Sequence, residues 1–376
     1  MPLYPYGQRQ TLRHEVVEGT VWTFDQMQGT LYVVVPVRMT VVRLAAGGLL
    51  VFAPVAPTPE CLSLMAELVQ AYGAVKYIIL PTVTGIEHKV FVGPFARQYP
   101  TAQVYVTPNQ WSFPLKLPLS WLGLPPSRTF ELPANSADAP FGDEFDYQTL
   151  GPLPLGLGPY AETALFHRAT KTLLILDAIV SIPDAPPEIV QLAGYPLLFH
   201  AKDSTFDDPA DTAENRLKGW RRIALFAFYF RPSVLVDPPW REVFRDAWKA
   251  KDRSRQAYFG VFPFRWQPHW ETAFHQLRSG GELLVAPVLQ SLIFNRGPAA
   301  VLDWAKAVAN WPFERIIPAH LDAPLSATPE AFSRAFEFLE GDGPYRDRRL
   351  PAADFDLLSR ISQWLHDSGI TPPPGR

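Results

Sequence analysis

The sequence predicts an α/β protein built as an αβ/βα sandwich, in which two mixed sheets pack together and helices cover them on the outside. Three observations lead to this fold class. The first third of the chain has the pattern of a strand meander followed by βαβ-like units. The second half repeats the mixture of short buried strands and helices. A chain of 376 residues is also long enough to bury a large core.

The predicted elements of the first third follow from residue type and spacing. Residues 21–53 are rich in β-branched and aromatic side chains, and Gly47-Gly48 is a hairpin turn signal. Apolar residues at helical spacing come next, and Pro81 ends a buried strand. We predict strands at 30–35, 39–44, 49–53, 77–80 and 104–107, and helices at 58–72 and 90–99.

A loop rich in tryptophan, proline and leucine, at residues 108–126, separates these elements from the second half. The chain has 40 prolines, about twice the average usage, so we expect stiff loops that pack on apolar surfaces. In the second half we predict strands at 163–167, 172–176, 282–286 and 315–317, and helices at 215–230, 240–250, 270–280, 298–310, 329–340 and 354–366.

The composition excludes several classes of protein. The chain has 34 basic and 37 acidic residues, which give a net charge of −3. This charge argues against general electrostatic binding to nucleic acid, so no nucleic-acid partner is expected. The single cysteine excludes an intramolecular disulfide and a four-cysteine zinc site. No apolar run approaches the ~20 residues that span a bilayer, and residues 1–14 lack a secretory signal. We expect a cytoplasmic protein and leave peripheral membrane contact open.

Polar residues follow several of the predicted strands or end an apolar segment such as 195–200. They are His88, Asp177, His200 and His320. In α/β folds, ligands gather beyond the carboxyl ends of strands, so the combination predicts a site. Each residue also has a structural explanation, because a histidine after a strand can simply hydrogen-bond a turn and an aspartate can cap the next helix.

The order of these residues resembles the metallo-β-lactamase superfamily, and the resemblance implies that superfamily's αβ/βα sandwich. Its His-x-His-x-Asp-His loop falls on residues 83–88. Val83 and Gly85 occupy the first two histidine positions, Glu87 occupies the aspartate position, and His88 keeps the last histidine. The resemblance therefore implies that part of the metal-binding loop is lost and part is retained.

The other metal ligands of the superfamily also match in part. The bridging aspartate matches Asp177 and the final histidine matches His320, whereas the turn near residues 158–160 lacks the third histidine. The resemblance implies that one of two metal sites survives, with the ligands Glu87, His88, Asp177 and His320. Two histidines and two carboxylates suit one divalent transition metal, zinc or iron, as cofactor. The alternative is a relic pocket whose polar groups hydrogen-bond to one another.

Two functions are compatible with this resemblance. The first is a metal-dependent, hydrolase-like enzyme that presents water to an ester, amide or phosphoester, with Asp177 orienting the water and Lys202 stabilising an oxyanion. The second is a non-catalytic binding or assembly protein of photosynthetic cells that uses aromatic loops and a basic helix. The sequence identifies neither a small-molecule substrate nor a protein partner, and it leaves the oligomeric state open.

Longer sequence segments rich in aromatic residues resemble a narrower family. They include LPLSWLG at 117–123 and YFGVFPFRW at 258–266. They are similar to a cyanobacterial and plastid family within the same superfamily, domain of unknown function 4336, which implies a photosynthetic source and a plastid-stroma location in plants. We expect an N-terminal extension at 1–19, a main domain at 20–345 with an insertion at 203–280, and a C-terminal helix and tail at 346–376.

Three further residues are candidates for the same site. Glu162 falls in the turn that supplies the third histidine, and His167 ends the strand that follows. Because they are five residues apart, we expect them on opposite faces of that strand. His200 is a candidate for substrate contacts or for support of the ligands.

A basic segment and two aromatic loops complete the candidates. The basic side chains surround Trp220 and continue further along the chain: Arg216, Lys218, Arg221, Arg222, Lys249, Lys251, Arg253 and Arg255. They predict either a positive patch for an acidic partner or a solvated helix face. The aromatic loops 108–126 and 258–270 either rim a pocket or interface, or pack on their own sheet.

Overall fold

A computed structural model describes residues 3–5, 8–30, 32–111, 118–156, 158–341 and 345–375. Residue 31 of the predicted strand 30–35 and residues 112–117 of the predicted loop 108–126 lie outside the described residues. The strands are β1 Leu3–Tyr4, β2 Leu12–Val17, β3 Val21–Thr30, β4 Val33–Arg43, β5 Leu49–Phe52, β6 Val75–Leu80, β7 Gln103–Val106, β8 Thr129–Glu131, β9 Phe145–Pro154, β10 Pro159–His167, β11 Thr172–Ile175, β12 Leu235–Val236, β13 Arg265–Trp266, β14 Arg315–Pro318 and β15 Leu325–Ser326.

Eleven α-helices lie within the described residues. They are α1 Pro59–Tyr72, α2 Ile86–Gln98, α3 Glu188–Gln191, α4 Tyr195–Ala201, α5 Ala213–Tyr229, α6 Trp240–Lys249, α7 Trp270–Arg278, α8 Pro287–Leu292, α9 Pro298–Ala309, α10 Pro329–Arg334 and α11 Asp356–Asp367. None of these described helices has the length and apolar character needed to cross a bilayer.

The strands form two large mixed sheets and one short ribbon. The first sheet has the order β1-β3-β4-β5-β6-β7-β8, with β2 also paired to β3, and it changes from antiparallel to parallel pairing at β5. The second has the order β15-β14-β11-β10-β9, and its β11–β14 pair is parallel. Strands β12 and β13 form the ribbon. Both large sheets are therefore mixed.

The two sheets pack face to face, and helices cover their outer faces. Alternation along a strand sends neighbouring residues to opposite sides. In β6, Ile79 joins a core that includes Leu174 of the second sheet, whereas Ile78 packs on the side of α1 and α2. In β11, Leu173 faces the cluster that contains Trp304 of α9. The predicted αβ/βα sandwich of two mixed sheets with outer helices is confirmed.

A further apolar cluster joins helices α4, α5 and α7 to the aromatic segment after residue 258. Tyr258 and Phe264 are buried there, and the ring of Tyr32 stacks on Tyr258 at 4.2 Å between centroids. Helix α5 approaches α4 at Gly219, where an added Cβ would lie 1.8 Å from the carbonyl oxygen of Leu197. Most aromatic side chains of the loop 258–270 thus pack against other aromatic residues and helices, whereas Phe259 stays exposed.

Several predicted elements differ from the observed ones. The strands predicted at 30–35 and 39–44 are one strand, β4, with Pro36 inside it. Proline is tolerated there because β5 pairs only with residues 40–43, so position 36 has no neighbouring strand on its second side. The strand predicted at 282–286 is wrong: this segment forms a single bridge at Leu284 and leads directly into α8.

Candidate metal centre

Four predicted ligands come from three places in the fold that meet at one edge of the sandwich. Glu87 and His88 lie in the first turn of α2, Asp177 follows β11, and His320 follows β14. Because β11 and β14 are parallel neighbours, the residues that follow them leave the sheet at the same edge. The turn before α2 is joined to the second sheet by a bridge between Thr82 and Glu162. This bridge brings the start of α2 to the ends of β11 and β14.

The side chains of these four residues converge. The Nε2 atom of His320 lies 3.1 Å from Oδ1 of Asp177 and 3.7 Å from Oε1 of Glu87. One ligand atom each from Glu87, His88 and His320 lies within 4.8 Å of the other two. The structure thus brings together all four residues, although Glu87 and His88 lie on a helix where a loop was expected.

Backbone carbonyls fix the orientation of both imidazole rings. Nδ1 of His88 lies 3.2 Å from the carbonyl oxygen of Pro54, and Nδ1 of His320 lies 2.9 Å from that of Pro36. A carbonyl only accepts, so each Nδ1 must carry the hydrogen and donate it. In the neutral rings the lone pair is then on Nε2, which is the usual arrangement of a metal-binding histidine.

The two histidines differ in their electrostatic surroundings. Burial lowers the pKa of His88, and its Nε2 atom has no hydrogen-bond partner among the described residues. Burial alone would also lower the pKa of His320, but the adjacent carboxylates of Asp177 and Glu87 raise it to about 10. Burial would raise the pKa of Glu87, yet His320 holds it down at about 2. Without a metal ion, His320 is therefore a cation between two carboxylates.

The positions of the two missing loop histidines offer no metal-binding side chains. Val83 is buried, with 1% of its surface exposed. A Cβ added to Gly85 would lie 2.8 Å from Cγ2 of Thr82 and 3.1 Å from Oε1 of Glu87. A side chain at this position would therefore press against Thr82 and would require a small shift of Glu87. The residues present fit one metal ion.

Glu162 lies directly behind Asp177 and is fully buried. Its carboxylate accepts hydrogen bonds from the backbone N–H groups of Leu176, Asp177 and Ala178, at 2.9, 3.2 and 3.1 Å, and from the hydroxyl of Tyr160 at 2.7 Å. Burial and the neighbouring charge of Asp177 raise the pKa of Glu162 to about 7. Both carboxylate oxygens are engaged by these donors, so Glu162 holds the segment that carries Asp177.

The structure does not bring three other predicted residues to this cluster. His167 lies at the opposite end of β10, where its Nδ1 is 2.8 Å from the hydroxyl of Thr170. His200 is buried elsewhere, with Nε2 2.6 Å from the carbonyl oxygen of Tyr32, and burial lowers its pKa to about 3. Lys202 lines a separate cavity of about 460 Å³. It is not positioned to stabilise an oxyanion at the cluster.

The basic side chains of α5 form a partly solvated face of ion pairs and not a free positive patch. Each is paired with an aspartate: Arg216 with Asp211, Lys218 and Arg222 with Asp203, and Arg221 with Asp184. Trp220, in their midst, is fully buried and donates to the carbonyl oxygen of Pro183. The prediction of a positive patch on this helix is wrong because local carboxylates neutralise it.

A cavity of about 740 Å³ opens beside the cluster. Glu87, Asp177 and His320 line part of it, and most of the remaining wall is apolar: Val33, Val35, Val37, Ile86, Phe91, Phe228, Val288 and Leu289. The sequence reasoning missed Arg9, which also lines this cavity. Its guanidinium lies 5.1 Å from the centre of the Phe91 ring and donates to Oε1 of Gln28 at 3.2 Å. No carboxylate among the described residues forms an ion pair with it, and burial lowers its pKa.

Residues 18–338 match a family model described as "Domain of unknown function (DUF4336)". A search of curated proteins finds no match. Among solved structures, the chain is similar to the Flv1 flavodiiron core from Synechocystis sp. PCC6803, with 10% identity, a TM-score of 0.43, and coverage of 89% of this chain and 61% of that chain.

Two further solved structures show comparable similarity. A flavoprotein from Thermotoga maritima has 9% identity and a TM-score of 0.44, and the match covers 89% of this chain and 62% of that one. The DIM-1 metallo-β-lactamase exposed to ceftazidime has 8% identity and a TM-score of 0.43, with coverage of 88% and 98%. The chain thus spans about three fifths of the flavodiiron and flavoprotein chains that it matches.

Proposed function

The chain belongs to the family described as Domain of unknown function (DUF4336), and from this premise we propose that it is a degenerate metallo-β-lactamase-fold protein with one metal position and hydrolase-like activity. The proposed metal is one divalent zinc or iron ion. Its proposed ligands are Glu87, His88, Asp177 and His320. A cyanobacterial or plastid source, with the protein in the cytoplasm or the stroma, is part of the proposal and follows from the sequence resemblance alone. So does the assignment of residues 203–280 as an insertion.

One observation carries the metal proposal. The Nε2 atom of His88 is buried and has no hydrogen-bond partner among the described residues. A buried polar atom without a partner costs free energy, and at this position a metal ion would satisfy it. Glu87 and His320 present ligand atoms within 4.8 Å of it. Imidazole nitrogens with carboxylate oxygens are a donor set that zinc and iron accept.

The residues of the chain have distinct roles in this proposal. A bound divalent ion would act as a Lewis acid toward a carbonyl or phosphoryl oxygen. Glu87 and Asp177 balance its charge, and a carboxylate oxygen of Asp177 can accept a proton from a water molecule in the cavity. Glu162 holds Asp177 in place through the backbone. The apolar wall excludes bulk water and accepts the apolar part of a substrate.

Protein purified without chelator is expected to contain about one zinc or iron ion per chain, as measured by elemental analysis. His88→Ala and His320→Ala each remove a proposed ligand and are expected to lose most of this metal. His275→Ala is the matched control, because His275 is exposed on α7 and far along the chain from every proposed ligand. A wild-type protein that contains no metal and is as stable as its variants would contradict the proposal. It would favour the alternative, a non-catalytic binding protein.

The guanidinium of Arg9, which forms no ion pair with a described carboxylate, indicates that the substrate carries an anionic group. Arg9 stacks on Phe91, and Phe91 lies one helical turn after Glu87, which is about 6 Å along the helix axis. An anion bound to Arg9 would therefore place a neighbouring bond near the cluster. We include in the proposal a substrate with an apolar body and a carboxylate or phosphate.

Decanoate and decanol serve as a charged and an uncharged probe of this cavity in titration calorimetry. Arg9→Gln is expected to weaken decanoate binding about tenfold or more, since a hydrogen bond to a charged group contributes roughly 1.5–3 kcal/mol. Decanol binding and metal content should stay the same, and Arg9→Lys should retain part of the preference for decanoate. Equal weakening of both probes would contradict the role of Arg9 and would leave the metal proposal intact.

A further inference from the structure

Helix α6 carries a stripe of aromatic side chains that the protein leaves in solvent. Trp240, Phe244 and Trp248 are 60%, 60% and 78% exposed. Their spacing of four residues places them on one face of the helix, and the rings of Trp240 and Phe244 lie 5.6 Å apart. Contiguous exposed apolar surface of this kind marks an interaction site more often than isolated exposed residues do.

The other side of α6 is attached firmly to the protein. Val243 and Ala247 are buried, and the turn 258–260 packs against the end of the helix at Ala247 and Ala250. The approach is close, because a Cβ added to Gly260 would lie 2.8 Å from the carbonyl oxygen of Ala247. The same turn carries a further exposed aromatic residue, Phe259, at 61% exposure. The aromatic stripe is therefore held outward by ordered packing of the opposite face.

Basic residues border the aromatic stripe. Residues 240–255 contain six basic and three acidic side chains, a net charge of +3 in a chain whose overall charge is −3. Arg241, Lys249 and Lys251 are exposed, and none of them forms an ion pair with a described carboxylate. The two acidic residues of the helix are already engaged, Glu242 with Arg265 and Asp246 with Arg245. The exposed face of this segment is thus aromatic and positively charged.

This combination matches an anionic lipid surface better than it matches a folded protein. Tryptophan rings prefer the headgroup region of a bilayer, and lysine and arginine beside them meet lipid phosphates. A helix of ten residues is about 15 Å long, which is too short to span a bilayer, so it would lie in the plane of the interface. An acidic protein partner would satisfy the basic residues but would have to cover two highly exposed tryptophans as well.

We propose that α6 docks the protein on an anionic lipid surface, with Trp240, Phe244 and Trp248 entering the headgroup region and Arg241, Lys249 and Lys251 contacting phosphates. The proposal is independent of the metal centre, because none of these residues lines the cavity beside Glu87, Asp177 and His320. The aromatic spacing of four residues is visible in the sequence, whereas the exposure of the stripe is a property of the fold.

Co-sedimentation of the full-length protein with vesicles tests this proposal. We expect binding to phosphatidylcholine vesicles that contain roughly one third phosphatidylglycerol, and at least tenfold weaker binding to pure phosphatidylcholine. Replacing Trp240, Phe244 and Trp248 together with alanine should reduce binding to the level of pure phosphatidylcholine. Arg241→Gln combined with Lys249→Gln should weaken binding roughly tenfold and reduce its dependence on salt.

Two control variants separate docking from general hydrophobicity and charge. Trp364→Ala removes from α11 a tryptophan that is as exposed as Trp240, and Lys306→Gln removes an exposed basic side chain from α9. Both should bind vesicles like the wild type, and all variants should keep the wild-type circular dichroism spectrum. The proposal is overturned if the wild type binds neither vesicle or if the triple variant binds as well as the wild type. It is also overturned if the wild type is a dimer and the triple substitution makes it a monomer.

Discussion

Glu162→Ala is expected to lower the free energy of unfolding by about 3 kcal/mol, as measured by urea denaturation. The carboxylate accepts from three consecutive backbone N–H groups, those of Leu176, Asp177 and Ala178, and from the Tyr160 hydroxyl. Removing it leaves these buried donors without an acceptor. Burying the charge of Glu162 itself costs free energy, and Glu162→Ala removes that cost. We therefore expect a smaller loss of stability than the sum of the separate hydrogen bonds.

Two further variants make this prediction specific. Glu162→Gln keeps one acceptor oxygen and should cost roughly half as much as Glu162→Ala. Glu340→Ala removes an exposed carboxylate and should change the free energy of unfolding by less than about 0.5 kcal/mol. If Glu162→Ala were as stable as Glu340→Ala, the carboxylate would not be holding the Asp177 segment. Because the segment carries a proposed ligand, metal content should fall together with stability.

In chelator-treated protein, the stabilising effect of His320 is expected to fall by about 3 kcal/mol between about pH 7 and pH 10. Its folded-state pKa of about 10 lies above the ordinary value of 6.5, because Asp177 and Glu87 favour the charged ring. This stabilisation is complete below pH 6.5 and is lost as the pH rises through about 10. A bound metal ion would displace the proton from Nε2, so metal-loaded protein should lack this pH dependence.

The quantity to measure is the difference in unfolding free energy between wild type and His320→Gln at each pH. Other groups titrate in the same range, including Lys89, whose pKa burial lowers to about 8, and the difference removes their contribution. His275→Gln should follow the wild-type profile throughout. Parallel profiles for wild type and His320→Gln would mean that the ring is not held as a cation between Asp177 and Glu87.

The sequence predicts the fold class, and it predicts that Asp177 and His320 each follow a strand. Both residues follow short buried strands, and parallel pairing of such strands brings their ends together. The position of Glu87 and His88 was predicted in a loop, yet α2 begins at Ile86. The turn chemistry of Thr82, which accepts from the N–H groups of Thr84 and Gly85, starts the helix earlier than the apolar pattern indicated.

The role of Glu162 could not be read from the sequence, because it depends on which backbone segment lies opposite the strand. Only the pairing of β10 with β11 brings Glu162 to the N–H groups after Ile175. Arg9 was missed for a related reason: its contact with Phe91 joins residues that are far apart in the chain. The basic residues of α5 were misinterpreted because their aspartate partners lie on neighbouring loops and are not at helical spacing.

The most direct test of the account is an anomalous-scattering map from crystals of the wild-type protein grown without chelator, with data collected on both sides of the zinc and iron absorption edges. We predict one peak, lying among the side chains of Glu87, His88, Asp177 and His320 and absent from crystals of His88→Ala. A map without a peak at these residues, with His320 still paired to Asp177, would contradict the claim that this chain retains a metal site.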